Sequence, residues 1–544
     1  MKFNIKKYDL VIASILFLGI WLYIFLSTGL LTSGLNYLVN DHAIYEDHVT
    51  KFDFISIAKQ SLINNYFSDS PVQRFRPFYD FLQRLSPYIF EYNPFPYYFS
   101  SFFIALSTSI GLYIFAKRIK FSPVVSFLFS SLVVIGPQTS TYSYAFPIPA
   151  EASASLFIVI SLILCTLLNN IQKKKNLFFE ITISILVILA ALTKESYILI
   201  IPAIIFFTLD YFSQKYSISY IESFKKNKIV SLTLALVFLV LIVYLKVKVT
   251  GQGYAGIDRS TFSSVNITNL IKYFYKDSIL GITILIYLIF IVYNLIKKSF
   301  NFSNSYIRFC IFTFLIVAPQ FILYVKSGIE GNTHYLFPLI IGLALFTVKP
   351  LEDIKYKNSY LHYALIILIF LNLNRQLHKV ETYFNIKAHY LGDLHSMVHD
   401  LSGCIKNKNA KLIVYGNPYW QLEPLPAFRD LILVRLLGIK PNNIYLATVG
   451  SIDSDYFSNS FYDYEHYMYN TLGTQDKHMK QEYEFHDLKN LSIKDRQDNA
   501  AVVILNYPKY KNDFIKENAD WFDSQNYALK QYPYTDHGFY CNLK

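Results

Sequence analysis

The sequence predicts a polytopic α-helical membrane protein with a small α/β domain outside the membrane. Of the 544 residues, 53% are hydrophobic and 16% are charged, whereas soluble domains carry about 25% charged residues. The apolar residues gather in eleven runs close to the length of a membrane span. Basic residues cluster in alternate loops between these runs, and residues 376–544 contain no run of membrane length.

The apolar runs define the expected spans. They lie at 10–31, 95–116, 122–137, 148–169, 177–193, 195–212, 229–247, 278–296, 306–325, 334–348 and 360–374. The first run is long for a signal peptide and lacks a small-residue cleavage site, so we interpret it as a membrane helix. The runs 177–193 and 334–348 are short for a straight crossing, and tilted or partly re-entrant segments are alternatives there.

The basic loops predict the orientation. The clusters are Lys2/Lys6/Lys7, Lys117/Arg118/Lys120, 173–175, Lys225/Lys226/Lys228, Lys297/Lys298 and Lys349/Lys355/Lys357. Cytoplasmic loops carry such an excess, so eleven spans place the N-terminus inside and the C-terminus outside. The remaining loops are longer and more acidic. The net charge of +12 comes from these clusters and not from a nucleic-acid motif, so we expect membrane lipids and no nucleic acid as partners.

The polar region predicts a second domain. We expect a membrane domain at 1–375 and an α/β domain at 376–544. Residues 410–416 (AKLIVYG) and 500–507 (AAVVILNY) are typical of buried strands, and 426–438 is typical of a helix that ends at a glycine. Cys404 and Cys541 could pair if this domain lies outside the cytoplasm.

The first outer loop contains the first candidate catalytic residues. Asp41, Glu46 and Asp47 follow the first span closely, and a carboxylate there can act as a general base toward a hydroxyl. Asp41, Asp47 and His48 are also candidate ligands of a divalent cation such as Mg or Mn. A solvated loop is the alternative.

The same loop predicts an amphipathic helix. Phe54, Ala58, Leu62 and Tyr66 recur at intervals of four residues, which is typical of a helix lying on the bilayer surface. An ordinary packed helix is the alternative.

Three cations on the outer side are candidate phosphate ligands. Arg74 and Arg76 lie in RFRPFYD, and the planar fork of arginine suits a phosphate. Lys194 and Glu195 lie between two apolar runs with almost no loop, so burial would require pairing or a wet cavity. The alternatives are lipid headgroup contacts for the arginines and an exposed tight turn for Lys194 and Glu195.

Other outer loops add further candidates. Arg259 lies in a glycine-containing loop and His334 at the start of the tenth span, and both are candidate phosphate ligands; a plain connecting loop and a structural histidine are the alternatives. The candidate substrate contacts are Tyr142, Glu195, Glu330 and Tyr335. Carboxylates, cations and aromatic residues on one membrane face suit an anionic lipid headgroup and a polar acceptor.

The order of these motifs resembles the GT-C superfamily of membrane glycosyltransferases. The resemblance covers about residues 1–375 and includes the acidic first loop, the surface helix, RFRP, TKE at a hairpin and HYLFP before a late helix. It implies a polyprenyl-phosphate sugar donor and a glycan or lipid-linked acceptor, on the outer face of a bacterial cytoplasmic membrane. It also implies that Asp41 is the general base, with Glu46 or Asp47 as alternatives, and that the C-terminal domain helps to bind the acceptor.

Two other functions stay open from the sequence. A polysaccharide polymerase or ligase also uses lipid-linked oligosaccharides, but its large catalytic loop is expected between late helices. A membrane transporter would need polar residues near the middle of its spans. The sequence has no Walker motif and no H-E-x-x-H, which argues against ATP-driven transport and a zinc protease.

Overall fold

Helices dominate the fold. The structure, a computed structural model, describes residues 5–34, 53–64, 75–90, 93–136, 143–145, 149–169, 173–248, 267–268, 271–272, 279–297, 304–327, 336–355, 358–405, 410–416, 437–440, 443–448, 486–488, 491–505 and 507–542. Its helices are α1 (Ile5–Ser27), α2 (Phe54–Lys59), α3 (Pro77–Phe90), α4 (Pro94–Arg118), α5 (Pro123–Val134), α6 (Ala150–Leu167), α7 (Lys173–Thr193), α8 (Ile201–Tyr216), α9 (Tyr220–Lys226), α10 (Lys228–Lys248), α11 (Ile279–Ile296), α12 (Asn304–Ser327), α13 (Phe337–Lys355), α14 (Ser359–Cys404), α15 (Ile493–Gln497) and α16 (Tyr507–Glu517). A 3₁₀ helix, Glu195–Ile200, leads into α8.

Within the described residues, eight helical segments are long and apolar enough to cross a membrane. They are Tyr8–Ser27, Pro94–Arg118, Ala150–Leu167, Asn176–Thr193, Glu195–Tyr216, Lys228–Val247, Ile279–Ile296 and Asn304–Leu323. The predicted polytopic helical fold is therefore confirmed. The other three predicted spans fall on α5, α13 and α14, and the count of eleven and the orientation stay predictions.

The first span ends earlier than its apolar run predicts. The run continues to residue 31, but α1 ends at Ser27. Gly29 follows with φ of 71°, a left-handed conformation that glycine adopts without steric cost. Hydrophobicity alone does not reveal where the backbone leaves the helix.

The chain forms two compact units. The first comprises Met1–Thr28, Ser68–Asp80 and Tyr97–Phe384, and the second comprises Gly29–Phe67, Phe81–Pro96 and Asn385–Lys544. Helix α14 continues without a break through residues 375 and 376, where we expect the domain boundary. The domain limits of 1–375 and 376–544 stay a prediction.

In the first unit, α13 is the most enclosed helix. Fifteen of its 19 residues are buried, and it packs against α5, α11 and α12. Glycines permit two close helix contacts: a Cβ atom on Gly111 or Gly342 would lie 2.6 Å from a methyl carbon of Val159 or Val317, respectively. Small residues at such contacts are typical of helices packed in a membrane.

The second unit contains the predicted α/β domain. Its strands are β1 (Leu412–Gly416), β2 (Ile444–Thr448), β3 (His486–Asp487), β4 (Ala501–Ile504), β5 (Tyr527–Tyr532) and β6 (His537–Asn542). They form one sheet in the order β3-β2-β1-β4-β6-β5; β1 to β4 pair in parallel, and β6 is antiparallel to β4 and β5. The two strands predicted from apolar runs are thus β1 and β4. Most of the helix predicted at 426–438 lies outside the described residues.

The end of the chain is fastened to α14. Cys404 forms a disulfide with Cys541 in β6, with 5.9 Å between their Cα atoms, as the sequence allowed. Asp400 accepts a hydrogen bond from the hydroxyl of Tyr532 at 2.6 Å and lies 2.9 Å from Nζ of Lys530. The Tyr532 hydrogen bond is the main reason why the pKa of Asp400 is lowered, so this carboxylate is ionised at neutral pH.

A helix is present where the sequence predicted an amphipathic one, but it buries a different stripe from Phe54, Ala58 and Leu62, and Tyr66 lies outside the described residues. The helix consists of α2 and a π-helical turn, Gln60–Asn64. Ile57 and Ser61 are buried, whereas Phe54, Ile55 and Ile63 are 51%, 74% and 53% exposed. Three exposed apolar side chains agree with a surface that meets lipid, but its position at the bilayer stays a prediction.

Candidate active site

Lys194 and Glu195 lie at a break between two apolar helices. Helix α7 ends at Thr193, and the 3₁₀ helix begins at Glu195. Lys194 has an extended conformation, with φ of −151° and ψ of 126°. Successive side chains of an extended segment point in different directions, so the cation and the neighbouring anion reach different partners.

Glu195 binds the segment that precedes α3. Its Oε2 accepts a hydrogen bond from Nε of Arg76 at 2.8 Å, and its Oε1 accepts one from the backbone N–H of Phe75 at 3.1 Å. The side chains of Arg76 and Glu195 are only 10% and 15% exposed. Because a residue before proline disfavours the helical conformation, Arg76 stays outside the helix that begins at Pro77.

Lys194 binds Glu151. Its Nζ lies 2.5 Å from Oε1 of Glu151, and the two side chains are 4% and 8% exposed. Glu151 lies in the first turn of α6, where the helix dipole favours a carboxylate. Lys194 and Glu195 are only 4% and 15% exposed, so the alternative of an exposed tight turn is wrong. Each of these charges has a partner of opposite sign, as a buried charge requires.

A tyrosine holds the start of α6 in place. The hydroxyl of Tyr197 donates a hydrogen bond to the backbone carbonyl of Glu151 at 2.8 Å and also contacts Oγ of Ser155. Tyr197 is fully buried within the 3₁₀ helix. The backbone of Glu151 is therefore fixed next to the residues that follow Lys194.

Gln320 reaches the same place from α12. It follows Pro319 inside that helix, and its Nε2 donates a hydrogen bond to the carbonyl of Ser196 at 2.5 Å. Oε1 of Gln320 and Oγ of Ser196 are buried and have no hydrogen-bond partner in the part of the chain that the structure describes. Buried polar atoms are normally paired, so these two atoms are candidates for contact with water or a substrate.

The structure brings together three of the predicted site residues, namely Arg76, Lys194 and Glu195. They belong to one unit, and we call them, together with Glu151, the charged cluster. The other predicted site residues lie outside the described residues: Asp41, Glu46, Asp47, His48, Arg74, Tyr142, Arg259, Glu330, His334 and Tyr335.

Two further residues contact this place: Glu151, which the sequence placed on the outer side without predicting its partner, and Gln320, to which it assigned no role. Glu151 opens an apolar helix directly after a proline-rich segment, so an acid at the end of a span was the available signal. Gln320 is a polar residue beside a proline within an apolar run, which is a further signal of a special position. Neither signal predicts which residue Glu151 or Gln320 contacts.

The predicted metal site lies elsewhere. Among the described residues, no group of three or more His, Cys, Asp or Glu side chains could hold a metal ion. The proposed ligands Asp41, Asp47 and His48 are not among those residues. The divalent cation therefore stays a prediction.

No family model matches the sequence, and neither does any curated protein. Among solved structures, the chain is similar to ArnT from Cupriavidus metallidurans bound to undecaprenyl phosphate, with 12% identity, a TM-score of 0.44, and coverage of 97% of this chain and 98% of that one. For ArnT in the apo state the identity is 12%, the TM-score 0.46 and the coverage 97% of both chains.

The chain is also similar to the oligosaccharyltransferase of Archaeoglobus fulgidus tethered with an acceptor peptide. The identity is 11%, the TM-score is 0.44, and the alignment covers 99% of this chain and 74% of that one. At this level the similarity concerns the course of the chain and not the side chains of any site.

Proposed function

We propose that the chain is a glycosyltransferase that moves a sugar from a polyprenyl-phosphate donor to a glycan or lipid-linked acceptor of the cell envelope. The observation that carries this proposal is the charged cluster. Arg76 is held as a buried cation directly before α3, and Lys194 directly after the apolar helix α7. Cations at that place suit a phosphate that a lipid chain anchors in the bilayer.

In this proposal a carboxylate of the first outer loop is the general base. Asp41 is the first choice because it lies nearest to the end of the first span, and Glu46 or Asp47 are the alternatives. The base takes the proton of the acceptor hydroxyl, whose oxygen attacks the anomeric carbon. The bond from that carbon to the phosphate oxygen breaks, its electron pair leaves with the lipid phosphate, and a single displacement inverts the configuration.

The cations stabilise the leaving phosphate as its charge develops. We assign this role to Arg76 and Lys194 in the charged cluster and to Arg74, Arg259 and His334 of the outer loops. A lipid phosphate is already a good leaving group, so correct positioning of donor and acceptor supplies much of the rate enhancement. Glu195, Glu330, Tyr335 and Tyr142 are the proposed contacts of the sugar or the acceptor.

A divalent cation is the one cofactor that we propose. Carboxylate and imidazole ligands, as in Asp41, Asp47 and His48, fit Mn better than Mg, which prefers oxygen ligands alone. When bound, the ion would supply positive charge near the donor phosphate.

We place the reaction on the outer face of a bacterial cytoplasmic membrane. The alternation of basic loops supports this orientation. The disulfide between Cys404 and Cys541 supports it too, because disulfides persist in oxidising compartments and are rare in the cytoplasm.

A transfer assay tests the proposed function. Wild type, Asp41→Asn and Asp53→Asn are compared in liposomes with polyprenyl-phosphate glucose, mannose and galactose. Asp53 is the matched control, since its carboxylate accepts a hydrogen bond from the N–H of Ser56 at 2.8 Å and asparagine caps a helix equally well. We expect wild type and Asp53→Asn to transfer sugar, and Asp41→Asn to lose about 10²- to 10⁴-fold in rate with unchanged thermal stability.

Other outcomes separate the remaining possibilities. Retained transfer in Asp41→Asn, with loss in Glu46→Gln or Asp47→Asn, would move the base to that residue. Transfer that disappears after EDTA treatment and returns with Mn would support the metal, whereas transfer that persists in EDTA would exclude it. Absence of transfer from every donor would contradict the proposal and favour the polymerase or transporter alternatives.

A further inference from the structure

Phe75 and Arg76 together bind one carboxylate, that of Glu195, and we call this pair of donors the Phe75–Arg76 anion site. Its donors are the backbone N–H of Phe75 and Nε of Arg76. Arginine side chains and backbone N–H groups are donors that proteins commonly present to phosphate oxygens. In this structure the two oxygens of the Glu195 carboxylate accept these hydrogen bonds, at 3.1 Å from Phe75 and 2.8 Å from Arg76. A residue of the chain itself therefore occupies a site with oxyanion chemistry.

We propose that Glu195 is an internal placeholder in the Phe75–Arg76 anion site, and that the donor phosphate displaces it. This inference rests on the proposed function. It makes Glu195 a competitor of the donor phosphate and replaces the role of sugar or acceptor contact that we gave Glu195 above.

The charges of the cluster favour exchange over simple addition. Each of the two cations lies against one carboxylate, Arg76 against Glu195 and Lys194 against Glu151. The phosphodiester of a polyprenyl-phosphate sugar adds one negative charge, and like charges in a poorly solvated site repel strongly. Displacement of Glu195 toward solvent removes one negative charge from beside Arg76 as the phosphate brings one in.

Of the two carboxylates, Glu195 is the one placed to leave. Its ion pair is more exposed than that of Glu151, with side-chain exposures of 10% and 15% against 4% and 8%. The backbone of Glu151 is also held by the hydroxyl of Tyr197 at 2.8 Å. The Lys194–Glu151 pair therefore stays in place while the Arg76–Glu195 pair opens.

Binding of a polyprenyl phosphate to the full chain in nanodiscs tests the exchange. Glu195→Gln has nearly the same shape but is neutral, and it keeps one acceptor oxygen while an NH2 group replaces the other, so it competes less well with a phosphate. We expect the dissociation constant to fall about fivefold. Glu381→Gln is the matched control, because it removes the same charge from a carboxylate that binds the hydroxyl of Tyr23, and it should leave the dissociation constant unchanged.

Two further variants make the test specific. Arg76→Gln should weaken binding about tenfold, and adding Glu195→Gln to it should change nothing more, because competitor and phosphate both depend on Arg76. Glu195→Asp keeps the charge but is too short to reach both donors, so it should also tighten binding. This second variant decides the question if Glu195→Gln does not fold.

The results separate this inference from the proposed function. Unchanged or weaker binding in both Glu195 variants, with a wild type that binds and transfers sugar, would overturn the exchange alone. Glu195 would then orient Arg76 toward the phosphate. A wild type that binds no polyprenyl phosphate would overturn the exchange and the proposed function together.

Discussion

The two ion pairs of the charged cluster differ in how much water reaches them. Lys194 and Glu151 are almost fully enclosed, whereas Arg76 and Glu195 keep some contact with solvent. An enclosed pair holds its geometry but is costly to break, because the residue left behind is a buried charge without its partner. A more open pair can change partners at lower cost.

Substitution of Lys194 tests this difference at the residue scale. Lys194→Met should destabilise the protein by about 3 kcal/mol or more, because Glu151 then keeps a buried charge without its cation. The double variant Lys194→Met/Glu151→Leu should recover most of the lost stability, since it removes both charges. Thermal unfolding in detergent measures both effects.

A second lysine that pairs with an acid, but in a more exposed place, is the control for the effect of burial. Lys530→Met is the control, because Lys530 also pairs with an acid, Asp400, at 2.9 Å, but the two side chains are 48% and 31% exposed. Its loss should cost less than about 1 kcal/mol. Equal destabilisation by the two lysine substitutions would contradict the role of burial.

The charges at the hairpin show which features of a side chain can be predicted from the sequence. Lys194 and Glu195 stand between two apolar runs, so the need for buried partners was predictable. The identity of the partners was not, because Arg76 precedes Glu195 by 119 residues and Glu151 comes from a third segment. No local pattern connects residues that far apart.

At the scale of elements, hydrogen bonds, a ring stack and a disulfide hold the hairpin β5–β6 against the C-terminal half of α14. The backbone N–H of Tyr534 donates a hydrogen bond to Asp393 at 2.8 Å, and its ring stacks on His389 with 4.6 Å between centroids. Tyr532 binds Asp400, and the disulfide closes the far end. The contacts follow one side of the helix, so the final strands have a single docking position.

Removal of the disulfide should loosen this assembly. The bond closes a loop of 137 residues, and it restricts the unfolded chain of the second unit. We expect Cys541→Ser to destabilise that unit by about 2–5 kcal/mol. Limited proteolysis and thermal unfolding measure the change, with Cys310→Ala, at a free cysteine, as the control. Equal stability of Cys541→Ser and wild type would show that the non-covalent contacts suffice.

Elements also differed in how well the sequence predicted them. The apolar runs located the membrane helices within a few residues, because burial in lipid requires a continuous apolar stretch. Their ends were less predictable: α1 stops before Gly29, and α14 has 46 residues and continues to Cys404, well past the end of its apolar run at residue 374. Backbone conformation and tertiary contacts determine those ends.

At the scale of the whole molecule, the distribution of basic residues predicts one orientation. Alkaline phosphatase folds only outside the cytoplasm, because it needs disulfides. Fusion after Lys544 should therefore give an active phosphatase, and fusion after Lys298 should give an inactive one. Green fluorescent protein at the same positions should show the opposite pattern. Phosphatase activity at Lys298 but not at Lys544 would reverse the orientation and place the charged cluster on the cytoplasmic face.

The sequence by itself determined the class of protein, the approximate positions of its membrane helices, the two central strands of the sheet and the residues at the hairpin. Hydrophobicity, charge and strand pattern are local properties, and each can be recognised within about twenty residues. Only the tertiary structure decided that Glu195 binds Arg76 and Phe75, that Lys194 binds Glu151, and that Gln320 reaches Ser196. These contacts join distant segments, and the requirement to pair every buried charge selects the fold in which they meet.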